Sequence, residues 1–180
     1  MYPEIKSLFM LNPNITYLNH GSYGACPIPV FKSLINWQKQ LEYNPVKHLA
    51  YDLYDYLDIS RAALSDFLNC HKDDIVLSPN PSTALNTVIR SLDLEEGDEI
   101  LTTNHEYGAL NRTWDYYCKK TGAKYIQNKI SLPLISNKAF VEEFSQGITK
   151  KTKVIFISHV TSSTALIFPV EKICKLAKEN

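Results

Sequence analysis

The chain has 180 residues, 44% of them hydrophobic, enough for a domain with a real core. Lysine plus arginine equals aspartate plus glutamate at 19 each, so bulk charge points to neither a nucleic acid nor an anionic membrane. The apolar run Leu8-Phe9-Met10-Leu11 is far too short to span a bilayer, and Cys26, Cys70, Cys118 and Cys174 have no metal-type spacing. With no export signal ahead of the cysteines, reduced thiols and a cytoplasmic location are expected, and the glycosylation-like triplets at Asn14 and Asn111 are expected to be chance.

Residues 1–18 read as an N-terminal arm ending in the apolar turn around Ile15, Tyr17 and Leu18. A polar loop follows, Asn19-His20-Gly21-Ser22-Tyr23-Gly24-Ala25-Cys26-Pro27, in which glycine permits a sharp turn or a close approach to a ligand. Pro29 is placed to open a helix carrying Phe31, Leu34, Ile35 and Leu41 on one face. A break at Asn44-Pro45 leads to a second helical stretch with Leu53, Leu57, Leu64 and Leu68. Beyond it the pattern becomes regular. Strand 75–78 precedes helix 82–92, strand 99–103 precedes helix 108–120 with Gly122 as its cap, strand 123–128 precedes helix 138–146, and strand 153–158 precedes helix 170–179 behind Pro169. This alternation predicts an α/β fold with a mainly parallel sheet, right-handed crossovers and flanking helices.

In such sheets ligands gather beyond the carboxyl ends of the strands. That rule selects the loops Ser78 to Thr83, Thr103 to Tyr107 and Ser158 to Ser163. Ile75-Val76-Leu77 reads as a buried strand, and Ser82 and Thr83 fall where the next helix would begin. A helix start of this kind offers unpaired amides and a positive dipole end to a phosphate, although a capped helix without a ligand also explains the segment. Singly, His105 and His159 read as structural histidines; three polar loops on one edge together favour a site.

The loop Asn19 to Pro27, the segment Glu42-Tyr43-Asn44-Pro45-Val46-Lys47, the stretch Pro79 to Leu92, His105-Glu106-Tyr107-Gly108-Ala109 and Ser158-His159-Val160-Thr161-Ser162 together resemble the isopenicillin N epimerase-like branch of the class V aminotransferases. These are pyridoxal phosphate (PLP) enzymes of fold type I, a group that also holds the cysteine desulfurases. The resemblance covers essentially the whole chain. It implies that residues 1–70 are an arm with helices and residues 71–180 the first half of the PLP-binding large domain.

By position, the resemblance implies that Ser82 and Thr83 hold the cofactor phosphate and that Tyr107 stacks on the pyridine ring, where the desulfurases place a histidine. A tyrosine is not the same proton relay near neutral pH, which argues against desulfurase chemistry. It further implies that Ser162 faces the cofactor's phenolic oxygen, that His105 belongs to the cofactor site, and that Asn19, His20 and Gly21 face an amino acid substrate. Pro81 stands where many relatives have a small residue, and removes one amide. In the family the aspartate that pairs with the ring nitrogen, and then the Schiff-base lysine, lie beyond the position of Asn180. No catalytic residue and no metal ligand is therefore assigned here, and the chain alone is expected to be inactive.

The resemblance implies an epimerase- or racemase-like reaction at an amino acid α-carbon by a homodimer of the complete protein, with no nucleic acid or membrane partner. The alternatives are a lyase or desulfurase-type relative, a non-catalytic truncated gene product, or a small complete phosphate-binding domain. In the family's large domain the second, third and fourth strands are neighbours, and the first lies four spacings from the fourth. At roughly 4.8 Å per spacing, strand 75–78 would sit about 19 Å from the others.

Overall fold

The computed structural model describes residues 3–179. The chain divides into two compact units, one reaching Val76 and the other beginning at Leu77.

The first unit opens with a short turn α1 (Pro3–Lys6), followed by α2 (Ile28–Tyr43), a wide π-helical turn Lys47–Asp52, α3 (Leu53–Leu68) and a 3-10 turn Lys72–Asp74. Proline at the second position of α2 costs no helical hydrogen bond, because first-turn amides have no partner inside a helix. The break after Tyr43 is held by Asn44, whose Oδ1 accepts from the Lys47 amide at 3.0 Å. Trp37, His48 and Tyr56 then meet edge to face or tilted, with centroids 4.7 to 5.9 Å apart. Asp52 pairs with Lys47 and accepts from the Tyr56 hydroxyl, and these bonds hold its carboxyl below the usual carboxylate range. α2 has no buried residue, and α3 buries Ser65 alone.

The second unit is a three-layer sandwich. α4 (Pro81–Ser91) leads to β1 (Glu99–Thr103), α5 (Gly108–Thr121), β2 (Lys124–Asn128), α6 (Asn137–Ser145), β3 (Thr152–Ile155) and α7 (Val170–Glu179). The strands are ordered β2-β1-β3 and both pairings are parallel, as the alternating pattern predicts. β1 is central and is buried from Ile100 to Thr103, so neither of its faces meets solvent. Its neighbouring side chains separate the layers. Ile100 joins Ile89, Trp114 and Cys118 on the α4–α5 side, and Leu101 joins Phe140, Phe144, Phe168 and Ile173 on the α6–α7 side.

Three boundaries depart from the sequence reading. Ile75–Ser78 forms no strand: Ile75 is extended and buried, but Val76 and Leu77 are 88% and 50% exposed. An extended segment becomes a strand only when a neighbour takes its amides and carbonyls, and β1–β3 supply none here. α4 is capped by Asn80 rather than by Ser82 or Thr83; Asn80 Oδ1 accepts from the Thr83 amide at 2.8 Å and Pro81 takes the first helical position. β3 ends at Ile155, three residues short of the predicted strand.

Two outcomes follow from this packing. Cys118 is 3% exposed, and burial, helped by the Asp115 charge, pushes its thiol up to about 11. Cys26, Cys70 and Cys174 are exposed and free. A thiol reagent at about pH 8 should therefore label those three in the native protein and Cys118 only in denaturant, as native and denatured titrations would show. Gly122 caps α5 at φ 81°, and a Cβ there would lie 3.1 Å from the Glu96 side chain and 3.2 Å from its Cα. Gly122→Ala should cost about 1–2 kcal/mol in urea unfolding, through the left-handed backbone and the Glu96 contact together.

Candidate functional site

Parallel strands give every βα turn of the second unit the same edge. At the end of β1, Thr103 is the hub: its hydroxyl accepts from the His105 amide at 3.1 Å and donates to Glu106 Oε1 at 2.9 Å. Asn104 ties the turn to the segment after β2, its amide donating to Asn128 O at 3.0 Å and its Oδ1 accepting from Ile130 N at 2.8 Å. His105 is buried, with Nε2 3.1 Å from the Ile130 carbonyl and its ring edge-on to Phe168 at 6.1 Å. Its imidazole thus anchors the turn. Tyr107 follows as the N-cap of α5, its carbonyl accepting from Leu110 and Asn111 and its side chain about half exposed.

At the end of β3 the chain makes a second knot. The Thr161 hydroxyl accepts from the Leu166 amide at 2.9 Å and shares a 2.7 Å bond with Thr164, while Ala165 takes a left-handed φ of 52°. Val160 and Ile167 form an antiparallel bridge beneath this turn. Ser162 is exposed on the loop so formed, whereas Thr161 is 2% exposed.

The α4 start is oriented by α5. Asn86 Nδ2 donates to Thr113 Oγ1 at 3.4 Å, and the Tyr117 hydroxyl donates to Leu92 O at 2.9 Å. Moving forward along α4 thus means moving forward along α5, so the helices lie side by side in the same sense. Ser82, Thr83 and Tyr107 are therefore at the same end of that layer. With Thr83 N held by Asn80 and Pro81 lacking an N–H, the first-turn donors left without a capping acceptor are the Ser82 amide and the Ser82 and Thr83 hydroxyls. These suit an anion, the half-exposed Tyr107 ring suits a planar group, and the loops 78–83, 103–107 and 158–163 contain no lysine and no aspartate.

Asn19, His20 and Gly21 belong to the first unit. There the Tyr17 hydroxyl donates to the Tyr23 carbonyl, the Tyr23 amide to Asn19 O at 3.0 Å, and the Ala25 amide to His20 Nδ1 at 3.4 Å. The His20 ring sits edge-on to Tyr17 at 4.8 Å and tilted to Phe9 at 5.6 Å. Gly21 has open space where a Cβ would be.

Asn80 and Glu106 were not among the residues singled out from the sequence. Asn80 could have been found, because asparagine followed by proline is a strong helix-start pair. Glu106 could not, since its partner Ser158 is 52 residues away.

The family profile described as aminotransferase class-V matches residues 17–180. Isopenicillin N epimerase of Amycolatopsis lactamdurans is 29% identical over 171 residues, covering 93% of this chain and 43% of its own length. The probable chloroplastic L-cysteine desulfhydrase of Arabidopsis thaliana is 23% identical, covering 97% of this chain and 40% of its own. A C-DES mutant solved with glycine covalently linked to its PLP cofactor superposes with a TM-score of 0.86 at 22% identity, over 97% of this chain and 46% of that one, which establishes the shared fold. This chain thus spans about two fifths of the length of these curated relatives. Its profile match extends from the polar loop through the last helix, and the chain belongs to the class-V aminotransferase family.

Proposed function

We propose that this chain is the N-terminal portion of a PLP-dependent enzyme acting at the α-carbon of an amino acid, with epimerase- or racemase-like chemistry. The observation that supports it most is the common edge: the α4 start, with its uncapped donors, lies at the same end as the Tyr107 ring. Ser82 and Thr83 would take the phosphate through a backbone amide and two hydroxyls, assisted by the helix dipole. Tyr107 would cover one face of the ring, and Ser162 would donate to its phenolic oxygen. His105 would hold the turn that carries Tyr107. Asn19, His20 and Gly21 would contact the substrate amino acid. PLP, when bound, supplies an electron sink for negative charge developing at the α-carbon. This chain's residues bind and orient it; the lysine that carries the cofactor and the aspartate that faces the ring nitrogen would come from outside these 180 residues.

The protein would act in the cytoplasm as a homodimer. Four free cysteines fit a reducing compartment. A partner surface is suggested by α2, which exposes Val30, Phe31, Leu34 and Trp37 and buries none of them. No helix among the described residues is long and apolar enough to cross a membrane. A lyase reading has separate support in the desulfhydrase relative, which aligns over nearly the whole chain.

The full-length gene product should develop a visible absorption band with PLP, and borohydride should fix the cofactor to a lysine outside residues 1–180. Fixation to a lysine inside that range would overturn the division of labour. Exchange of the substrate α-hydrogen in deuterated water without release of sulfide or keto acid would select the epimerase reading, and their release the lyase reading. Ser82→Asp gives a sharper check of the phosphate site. An acid in the first turn favours the helix, so the melting temperature should hold, while repulsion of the phosphate should weaken PLP binding at least roughly tenfold.

A further inference from the structure

The ladder between β1 and β3 stops where it could have continued. Phe156 N donates to Leu101 O at 2.9 Å. In a parallel pair that relation recurs two residues on, so the next bond would run from the Ser158 amide to the Thr103 carbonyl. The Ser158 amide donates instead to both carboxylate oxygens of Glu106, at 3.2 and 3.1 Å, and the Ser158 hydroxyl donates to Oε2 at 2.6 Å. On the other side Oε1 accepts from the Thr103 hydroxyl at 2.9 Å. The carboxylate therefore occupies the place of a backbone bond between two neighbouring strands.

We infer that Glu106 is a positioning residue, a wedge that ends β1–β3 pairing and sets the separation of the Tyr107 and Ser158–Ser163 loops across the cofactor crevice. The inference rests on the cofactor reading above. Glu106 is 7% exposed, and a carboxylate taken out of water is tolerated only when its lone pairs are filled. An amide and two hydroxyls fill them here, and all three belong to the two strand ends being held. The side chain also fixes its own neighbours: Tyr107 is the next residue, and the Glu106 carbonyl accepts from Asn111 Nδ2 at 3.4 Å in the first turn of α5. Removing the negative charge weakens the hold on Ser158 and lets its amide compete for the Thr103 carbonyl. Pairing would then advance about two residues, roughly 6–7 Å along the strands, into the space between the loops.

Glutamine is the informative replacement, because it keeps the shape but offers one acceptor oxygen and an NH2 where two oxygens now accept. In the full-length gene product, Glu106→Gln should raise the dissociation constant for PLP about tenfold, change the visible circular dichroism of the bound cofactor, and slow exchange of the Ser158 amide in the cofactor-free protein as that amide joins the ladder. Adding Ser158→Ala to it should cost little more, since both remove one contact. A residue serving stability alone would lower the melting temperature and leave affinity and dichroism, measured well below it, as in the parent; that result would overturn the wedge. Should the parent protein bind no PLP, the cofactor reading fails by itself, and the exchange measurement still decides: slower exchange of the Ser158 amide in Glu106→Gln upholds the wedge, and unchanged or faster exchange overturns it.

Discussion

A central parallel strand needs a neighbour on each edge and an apolar layer on each face, and β1 has all four. The two core clusters are built outward from it, Ile100 facing one and Leu101 the other. At the carboxyl end of the sheet the regular ladder stops, and backbone amides must find other acceptors. Here side chains supply them. Asn104 accepts from Ile130, Glu106 from Ser158, Thr161 from Leu166, and Asn80 from Thr83. Each contact shapes one turn of the candidate site, so the loops are ordered by oxygen atoms of their own side chains. The residues left pointing outward, Tyr107 and Ser162 among them, stand beside these anchors in sequence.

What could be read from the sequence followed the range of the forces involved. α5 and its Gly122 cap, α6, α7 and the parallel order rest on local periodicity and turn chemistry, which a single sequence displays. The resemblance supplied the neighbourhood of the three short strands, and the sheet has that order. The helix start at Pro81 was legible in the Asn80-Pro81 pair but was assigned one residue late. Glu106 and the early end of β3 were not legible, because both depend on a contact between residues 52 apart. His105 looks the same in sequence whether it faces a ligand or a carbonyl; only the fold puts its Nε2 on Ile130.

Ile75–Ser78 is the most informative departure, because local pattern and tertiary context disagree there. Three consecutive apolar residues predict a buried strand, yet Val76 is 88% exposed. The resemblance already placed this segment about 19 Å, four spacings, from its nearest partner in the chain. Ile75 keeps the extended backbone of a strand and carries no ladder.

The two edges of the sheet differ in a way that bears on the same point. β2 is a tolerable edge: Lys124 and Gln127 are exposed on it, and charge or polarity on an edge strand discourages pairing with another chain. β3 is less protected. Val154 and Ile155, with Phe156 and Ile157 just past its end, make an apolar run of intermediate burial, and Lys153 is its one charge, drawn off to Asp98 at 3.2 Å. An apolar, unguarded edge beside a guarded one marks the side on which further strands would add. That is the side where the resemblance sets the remaining strands between β3 and Ile75–Ser78. The same addition would give Leu77 and Ser78 neighbours, and would fix the α4 start as the end of β1 fixes Tyr107.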